Sequence, residues 1–422
     1  ESIIRDQVLH YLLQNNLITK NQHGFLSRHS TCTQLLECVN DWTLSLNDRN
    51  GVDVIYIDFS KAFDSVVHSK LLLKLESYGI SGNLCAWIKS FLTDRIQSVK
   101  VGDHLSEPSD VVSGVPQGSV LGPLLFIIFI NDIVDIFGSG LSVKLYADDV
   151  KLYLVIDDVE CSQALQQGLI ELGKWCADWQ LSLSLDKCFT LQLGRTLTRP
   201  ANYSTHNLIL PTVGQANDLG VIIDSKLRFT SHYSSMVAKA HQRAALNQLR
   251  CFKSRDPILL FKAFTTYVRP IVEYCSPVWS PVYKTDITLI ESVQRRFTKK
   301  LFGLRDLSYT QRLESLNADS LEKRRLKLDL ITMFKIAHNI VGLNVSDFFT
   351  FDTTGRTRGG NTKLFKPRCN VNIRAHSFAC RRVNCWNSLP TSVREAINIY
   401  SFKQSLNKCN LNAHTTLSID TF

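Results

Sequence analysis

The sequence predicts an α+β fold, in which helices cover one face of an antiparallel sheet and a mainly helical region follows. Runs rich in apolar and β-branched residues recur in the first half of the chain, and segments with helical apolar spacing lie between them. From about residue 230 onward the pattern is helical and basic, with breaks at prolines. Strands and helices that are segregated in this way favour the α+β class.

Short apolar runs predict the strands of the sheet. Val52–Asp58 is typical of a buried strand, and the runs Leu141–Tyr146 and Val150–Ile156 predict a hairpin with an acidic tip. Further strands are predicted at Gln97–Val101, Leu105–Val112, Leu181–Leu193 and Asp218–Ile223. Apolar residues at helical spacing predict helices at Ser60–Tyr78, Gly82–Leu92, Pro123–Ile133 and Ser162–Trp179.

Composition and charge limit the class of protein. Of the 422 residues, 44% are hydrophobic and 20% are charged, which is typical of a globular chain rather than a disordered one. Residues 1–225 hold 16 Lys and Arg against 25 Asp and Glu, a net charge of −9, whereas residues 226–422 hold 32 against 13, a net charge of +19. Because basic side chains release counterions from phosphates, nucleic acid is the expected partner; a merely soluble basic surface is the alternative.

Cysteine usage and hydropathy favour an intracellular, soluble protein. The 12 cysteines include no Cys-x-x-Cys pair and suggest no disulfide framework. The spacing of Cys369, His376, Cys380 and Cys385 does not match a common structural zinc site. The longest apolar run, Val120–Ile130, is far shorter than the roughly 20 residues that a membrane helix needs, so no membrane partner is expected.

Three carboxylates at the ends of predicted strands form a candidate metal site. Asp58 ends the first strand, and Asp148 with Asp149 occupies the tip of the hairpin. Nucleotidyl transfer uses two divalent ions, about 4 Å apart, that activate the attacking hydroxyl and stabilise the leaving oxygen. Magnesium prefers oxygen ligands and keeps several waters, so a few carboxylates and the substrate phosphates suffice. An ordinary acidic turn is the alternative interpretation of Asp148 and Asp149.

Three motifs, in order along the chain, resemble those of the reverse transcriptase family, and within it the LINE-type, Jockey-like non-LTR retrotransposons. Asp58–Asp64 (DFSKAFD) resembles the first motif, Ser113–Pro123 (SGVPQGSVLGP) the second and Tyr146–Asp149 (YADD) the third. The resemblance implies a right-hand polymerase with fingers, an antiparallel palm and a thumb. It also implies that two Mg²⁺ ions, with Mn²⁺ as an alternative, are bound by Asp58, Asp148 and Asp149.

The same resemblance implies which residues contact the nucleotide and template. Phe63 is similar to the aromatic gate that selects deoxynucleotides, since its ring would clash with a 2′-hydroxyl. A core phenylalanine is the alternative. Gly114 and Gly118 let the backbone approach the substrates without side-chain bulk, and Gln117 and Tyr146 complete the implied substrate-binding set.

Two basic residues also belong to the implied site. The segment Gln22–Arg28 resembles the fingers motif, in which Arg often follows Gly-Phe, whereas Leu26 stands there in this chain and Arg28 comes two residues later. Arg28 is therefore interpreted as a triphosphate contact, with a solvated turn residue as the alternative. Lys187 resembles a palm lysine that could protonate the leaving pyrophosphate as a general acid, and a solvated lysine is again the alternative.

The resemblance covers almost the whole chain and implies three regions: fingers and palm at 1–225, a helical thumb at 226–305, and a basic helical C-terminal region at 306–422. Asp218–Val221 resembles the primer-grip strand, and Tyr267–Tyr274 resembles the thumb segment. Within the basic half, the candidate phosphate contacts are Arg295, Arg296, Lys299 and Lys300, and a second run of Lys323, Arg324, Arg325 and Lys327. Solvated helix faces are the alternative.

The implied activity is RNA-directed DNA synthesis in target-primed retrotransposition. Its partners would be an RNA template, a DNA primer or target, and deoxynucleoside triphosphates. An RNA-dependent RNA polymerase or an intron-encoded maturase is one alternative, and a decayed or domesticated element protein that binds RNA without catalysis is another. Because the chain starts at Glu1 rather than Met, we interpret it as an N-terminally truncated fragment. The family implies a cytoplasmic ribonucleoprotein before integration and a nuclear protein at integration.

Overall fold

A computed structural model of the chain describes residues 1–138, 140–156, 159–194, 202–205, 208–246, 254–352 and 362–417. The chain divides into two units, Glu1–Gln34 with Arg49–Gly214 and Leu35–Asp48 with Gln215–Phe422. The predicted α+β class is confirmed, because the first unit contains a mainly antiparallel sheet and the second is mainly helical. The finer division into three regions stays a prediction.

Strands and helices follow one another along the first unit. Its strands are β1 (Gly51–Ile57), β2 (Arg95–Gln97), β3 (Lys100–Val101), β4 (His104–Leu105), β5 (Ser109–Val111), β6 (Ser142–Tyr146), β7 (Asp149–Ile156), β8 (Phe189–Leu193), β9 (Ser204–Thr205), β10 (Leu208–Ile209) and β11 (Thr212–Val213). The helices up to residue 214 are α1 (Ser2–Gln14), α2 (Thr31–Asn47), α3 (His68–Ser77), α4 (Gly82–Leu92), α5 (Gly122–Ile130) and α6 (Val159–Trp179), with 3-10 helices at Asn131–Ile136 and Leu185–Lys187. Most of α2 belongs to the second unit.

A five-stranded sheet organises the first unit, with the strand order β11-β8-β1-β7-β6. The central strand β1 pairs antiparallel with both β7 and β8, and Ile57 at its end lies opposite Val150. Strands β6 and β7 form an antiparallel hairpin in which Tyr146 pairs with Asp149, whereas β11 runs parallel to β8. The predicted hairpin is therefore confirmed, and its tip lies next to the end of β1.

Burial of apolar side chains holds this sheet in place. Strand β1 is buried along nearly its whole length, as expected of a central strand. Helix α5 consists largely of buried apolar residues and carries Pro123 in its first turn, where the missing N–H would have no helical partner. Side chains of β1, β6 and β7 share one hydrophobic core with α3, α5 and α6. Because each buried Leu, Ile or Phe side chain contributes about 1.5–3 kcal/mol to folding stability, this core stabilises the end of the sheet near Asp58.

Several sequence predictions differ from the structure at the ends of elements. The predicted helix Ser60–Tyr78 begins only at His68, because the residues after Asp58 form turns in which Lys61 adopts a left-handed conformation (φ 48°). The strand predicted at Leu181–Leu193 is shortened to β8. Its first part instead bonds to the backbone beside the end of β1, through Ser184 N to Asp58 O (2.8 Å).

After residue 214, the second unit contains a hairpin where a single strand was predicted. Strands β12 (Gln215–Asp218) and β13 (Val221–Asp224) pair antiparallel around Leu219 and Gly220, both with positive φ. Tyr274 Oη donates a hydrogen bond to Leu219 O (2.8 Å). The remaining helices are α7 (Thr230–Leu246), α8 (Pro257–Tyr267), α9 (Ser276–Trp279), α10 (Lys284–Lys299), α11 (Tyr309–Ser315), α12 (Leu321–Ala337), α13 (Val345–Phe348), α14 (Asn372–Ala375), α15 (Phe378–Arg381), α16 (Val383–Ser388), α17 (Thr391–Arg394) and α18 (Ile399–Lys408), with 3-10 helices at Arg269–Val272 and Asn412–His414.

One of the two basic runs is part of the internal structure of this unit. Lys323 and Lys327 both contact Asp319, at 3.1 and 2.6 Å. Arg324 forms a two-point ion pair with Glu273, and Arg325 is only 1% exposed. The interpretation of this run as phosphate contacts is therefore wrong, because its side chains are paired with carboxylates or buried.

The other basic run is mostly open to solvent. The Arg295 guanidinium lies over the Tyr309 ring, 5.0 Å from its centroid, whereas Arg296, Lys299 and Lys300 are exposed near the end of α10. These three side chains remain the candidate phosphate contacts. None of the helices in the described part of the chain is long and apolar enough to cross a membrane.

Candidate active site

Two carboxylates meet where β1 ends and the β6–β7 hairpin turns. Asp58 directly follows Ile57, whose partner Val150 lies two residues beyond Asp148. Both carboxylates are half-buried. Burial raises the pKa of Asp148, and the negative charge of Asp58 raises it further, while a backbone hydrogen bond and Lys187 lower it. A bound cation would stabilise the ionised form of Asp148 against both its burial and the neighbouring negative charge.

The surroundings of Asp58 also suit a cation. Its Oδ2 atom is buried and accepts no hydrogen bond from the residues that the structure describes. The Lys187 ammonium lies 3.1 Å from this oxygen, although 69% of the lysine side chain is exposed. A buried carboxylate oxygen that lies beside a second carboxylate fits the oxygen-rich site that a divalent ion prefers.

The predicted third ligand, Asp149, lies at the start of β7. Asp149 is exposed and pairs with Tyr146 across the hairpin. Across the described ranges, no three His, Cys, Asp or Glu side chains lie close enough together to hold a metal ion. The structure thus brings together Asp58 and Asp148, with Lys187 beside them, and the three-aspartate ligand set stays a prediction.

Phe63 lies at the edge of the core, with its ring between two other aromatic rings. It stacks on Phe126 with centroids 4.2 Å apart and planes 17° apart, and Phe25 approaches it edge-on at 6.2 Å. The side chain is half-buried. Packing against Phe126 fixes the plane of the ring, which both a core residue and a steric gate require. The gate role of Phe63 therefore stays a prediction.

The second motif folds as a loop against the turn that follows Asp58. Gly114 N donates to Val66 O and Val115 N donates to Phe63 O, at 2.8 and 2.9 Å. Gly114 has φ 88°, and a Cβ added there would lie 2.8 Å from the backbone of Asp64. This glycine is required because the two backbones approach more closely than any side chain permits.

Asp64 also orients the predicted substrate-binding glutamine. Gln117 Nε2 donates a 2.8 Å hydrogen bond to Asp64 Oδ1, and Ser113 Oγ donates to Asp64 O at 2.8 Å. Gln117 and Gly118 are exposed, so both are accessible to a ligand. Asp64 belongs to the first motif, but no local pattern in the sequence indicates its role. Its position, six residues after Asp58, was the available signal.

The remaining predicted contacts lie close to the hairpin or on the surface. Tyr146 is half-buried at the end of β6. Arg28 is exposed in a turn with φ 68°, so its triphosphate role stays a prediction. Lys187 lies in a short 3-10 helix, and its ammonium contacts Asp58 while most of its side chain is exposed, so its general-acid role stays a prediction.

Acidic residues at adjacent strand ends, beside a glycine-containing loop and an aromatic ring, define a site suited to nucleotidyl transfer. The reverse transcriptase (RNA-dependent DNA polymerase) family matches residues 2–223, more than half of the chain. This chain belongs to the reverse transcriptase family.

The relatives of this chain include proteins of Jockey-like mobile elements, in agreement with the sequence motifs. A probable RNA-directed DNA polymerase from transposon BS of Drosophila melanogaster is 28% identical over 340 residues, which are 76% of this chain and 36% of the relative. The RNA-directed DNA polymerase from mobile element jockey of Drosophila funebris is 28% identical over 314 residues, 72% of this chain and 34% of the relative. This chain thus spans about a third of the length of the curated relatives that it matches. Among solved structures, apo telomerase from Candida tropicalis has a TM-score of 0.46 and 10% identity, over 77% of this chain and 53% of that chain.

We expect Gly114→Ala to destabilise the first unit more than Gly118→Ala. Both glycines have positive φ, so both substitutions incur the left-handed penalty of about 1–2 kcal/mol. Only at Gly114 does the new Cβ meet backbone; at Gly118, no described atom lies within 4 Å of it. Overpacking should add about 1–3 kcal/mol to the cost at Gly114. Denaturant unfolding of both variants measures the difference, and equal losses would contradict the close approach to Asp64.

Proposed function

We propose that this chain is the polymerase part of a LINE-type retrotransposon protein, an RNA-directed DNA polymerase that extends a primer on an RNA template. The observation that supports this most directly is the meeting of Asp58 and Asp148 at the end of β1. The turn that follows Asp58 is bonded to the loop that presents Gln117. Family membership supplies the reaction class, and the Jockey-like relatives supply the biological setting.

The proposed mechanism assigns each side chain a part. Asp58 and Asp148 hold divalent cations, with Asp149 as the third ligand indicated by the motif. Two Mg²⁺ or Mn²⁺ ions, when bound, supply activation of the primer hydroxyl and stabilisation of the leaving oxygen. Lys187, already beside Asp58, donates a proton to the leaving pyrophosphate. Phe63 limits the space at the sugar.

The proposed partners follow from this reaction. An RNA template and a DNA primer or target form the duplex, deoxynucleoside triphosphates are the substrates, and Arg28 contacts the triphosphate. The exposed Arg296, Lys299 and Lys300 contact phosphates of the duplex backbone. The proposal includes a cytoplasmic ribonucleoprotein before integration and a nuclear location at integration.

Asp58→Ala or Asp148→Ala should abolish extension of a DNA primer on an RNA template in Mg²⁺. Each substitution removes one of the two carboxylates that share the site, whereas Asp103→Ala removes an exposed carboxylate from the β3–β4 turn and should leave extension unchanged. Incorporation of labelled deoxynucleotides measures the effect. Full activity of either site variant would exclude the proposed metal ligands. An unsubstituted chain that binds RNA but extends nothing would favour the decayed or domesticated alternative.

Phe63→Ala should admit ribonucleotides, because the ring that blocks the 2′-hydroxyl is removed. The ratio of kcat/KM for a deoxynucleotide to that for the matching ribonucleotide should fall by about tenfold or more, a change of about 1.4 kcal/mol in transition-state discrimination. Phe302→Ala, at an exposed phenylalanine of the second unit, is the matched control. An unchanged ratio in folded Phe63→Ala protein would assign this residue to the core alone.

Replacing Arg296, Lys299 and Lys300 with Gln should weaken the salt dependence of template binding. Each lost phosphate contact reduces the slope of log K against log salt by about 0.9 on a duplex, so a loss of roughly one to three units is expected. Lys323 and Lys327, which already contact Asp319, provide a matched pair whose replacement should leave the slope unchanged. Filter binding across a salt series tests both. Equal slopes for the unsubstituted chain and both sets of variants would show that other residues make the phosphate contacts.

A further inference from the structure

A buried glutamine outside the catalytic motifs holds the turn that carries Asp148. Gln22 is 1% exposed. Its Oε1 atom accepts a 2.9 Å hydrogen bond from Ala147 N and a 2.7 Å hydrogen bond from Gly24 N. One neutral side-chain oxygen thus joins the backbone of the N-terminal segment to the backbone of the hairpin tip. Ala147 immediately precedes Asp148, so this bond fixes the Tyr146–Ala147 peptide, one peptide before the residue that carries the carboxylate.

Backbone bonds extend the same contact along β6. Leu145 N donates to Asn21 O at 2.9 Å, and His23 N donates to Leu145 O at 2.8 Å. Residues 21–24, here called the brace segment, therefore form a short parallel bridge with β6 that ends at the turn. A bridge of this kind fixes the register of the segment as well as its distance from the hairpin.

Gly24 allows the brace segment to approach this closely. A Cβ added to Gly24 would lie 2.5 Å from Ala147 N, a separation that backbone atoms cannot accommodate without moving. Ala147 itself has φ 57°, a left-handed conformation that a residue with a side chain adopts only when its surroundings impose it. The hydrogen bond from Gln22 is one such restraint, and without it the turn would lose a bond at its strained residue.

The next residue in the chain connects the brace segment to the aromatic ring of the site. Phe25 follows Gly24 and meets Phe63 edge-on, with ring centroids 6.2 Å apart. The same short stretch therefore touches both the turn bearing Asp148 and the ring proposed as the sugar gate. A displacement of the brace segment would therefore move both the turn bearing Asp148 and the Phe63 ring.

We propose that Gln22 is a positioning residue for the metal site: its Oε1 holds the Ala147 turn so that the Asp148 carboxylate faces Asp58. This inference rests on the proposed function, because it assumes that the two carboxylates bind cations jointly. Gln22 touches neither carboxylate in the contacts described, so its effect is exerted through the backbone. Removal of the acceptor leaves the buried Ala147 and Gly24 N–H groups without their partner and frees the turn to rotate.

The test compares three substitutions with an exposed control. Gln22→Met keeps the length of the side chain but removes the acceptor, and Gln22→Glu keeps an acceptor oxygen. Gly24→Ala leaves Gln22 intact but pushes the brace segment away from Ala147. Gln97→Met, on the exposed strand β2, is the matched control. Mn²⁺ binding is measured from the electron paramagnetic resonance signal of the free ion, which reports on the metal site without requiring catalysis.

Gln22→Met and Gly24→Ala should weaken Mn²⁺ binding by about 10–100-fold, the range typical when an outer partner of a metal ligand is removed. The Mg²⁺ concentration needed for half-maximal primer extension should rise in parallel. Gln22→Glu should bind Mn²⁺ more tightly than Gln22→Met, and Gln97→Met should match the unsubstituted chain. A merely structural role would lower the unfolding midpoint without changing Mn²⁺ affinity in the folded protein.

The outcomes separate this inference from the proposed function. Wild-type Mn²⁺ affinity in folded Gln22→Met, or equal weakening by Gln22→Glu and Gln22→Met, would overturn the positioning role. If the unsubstituted chain binds no Mn²⁺, the inference fails together with the metal-site part of the proposed function. If Mn²⁺ binds in a manner that depends on Gln22 while no primer is extended, the proposed polymerase activity fails and the positioning role stands.

Discussion

The register between β1 and β7 is the constraint on which the candidate site depends. With Ile57 opposite Val150, the end of the central strand lies level with the hairpin tip, and Asp58 and Asp148 become neighbours although 90 residues separate them in sequence. A shift by one residue would turn every side chain of β1 to the opposite face of the sheet. The shared core of β1, β6, β7 and α5 opposes such a shift, because it packs around the β1 side chains that now face it and not around those that the shift would bring there.

The electrostatics of the site follow from this arrangement. Burial is the largest cause of the raised pKa of Asp148, and the negative charge of Asp58 adds to it. Among the described residues, the exposed ammonium of Lys187 contacts Asp58 and offsets part of this charge. Catalytic sites often store unfavourable electrostatics that a substrate or ion relieves, and the left-handed Ala147 beside Asp148 adds backbone strain at the same place. A hydrogen bond from Ala147 N to Gln22 joins this strained turn to the brace segment, and backbone bonds join the turn after Asp58 to the loop at Gly114.

The basic side chains of the second unit fall into two groups, those in internal ion pairs and those exposed to solvent. The net charge of +19 over residues 226–422 suggests an extensive phosphate-binding surface. A substantial part of it is internal: Arg324 pairs with Glu273, and Arg381 and Arg382 both bind the fully buried Asp329. Ion pairs to a buried carboxylate organise a helical unit, because breaking one leaves an uncompensated buried charge. The charge left for a ligand is concentrated on exposed side chains such as Lys299 and Lys300.

The sequence by itself determined the α+β class, the family and the identity of the motif residues, because these depend on local patterns that can be recognised without knowing which residues are in contact. Short apolar runs and the order of the three motifs placed Asp58 at the end of a strand and Asp148 at a hairpin tip, as the structure has them. Only the tertiary structure decided which side chains meet. The pairing of Gln117 with Asp64, the acceptor role of Gln22 at Ala147 and the burial of Arg325 arise between segments distant in sequence, and no local periodicity records them. The helix predicted from Ser60 failed for the same reason, since long-range bonds to the loop at Gly114 hold the residues after Asp58 in turns despite their helical spacing.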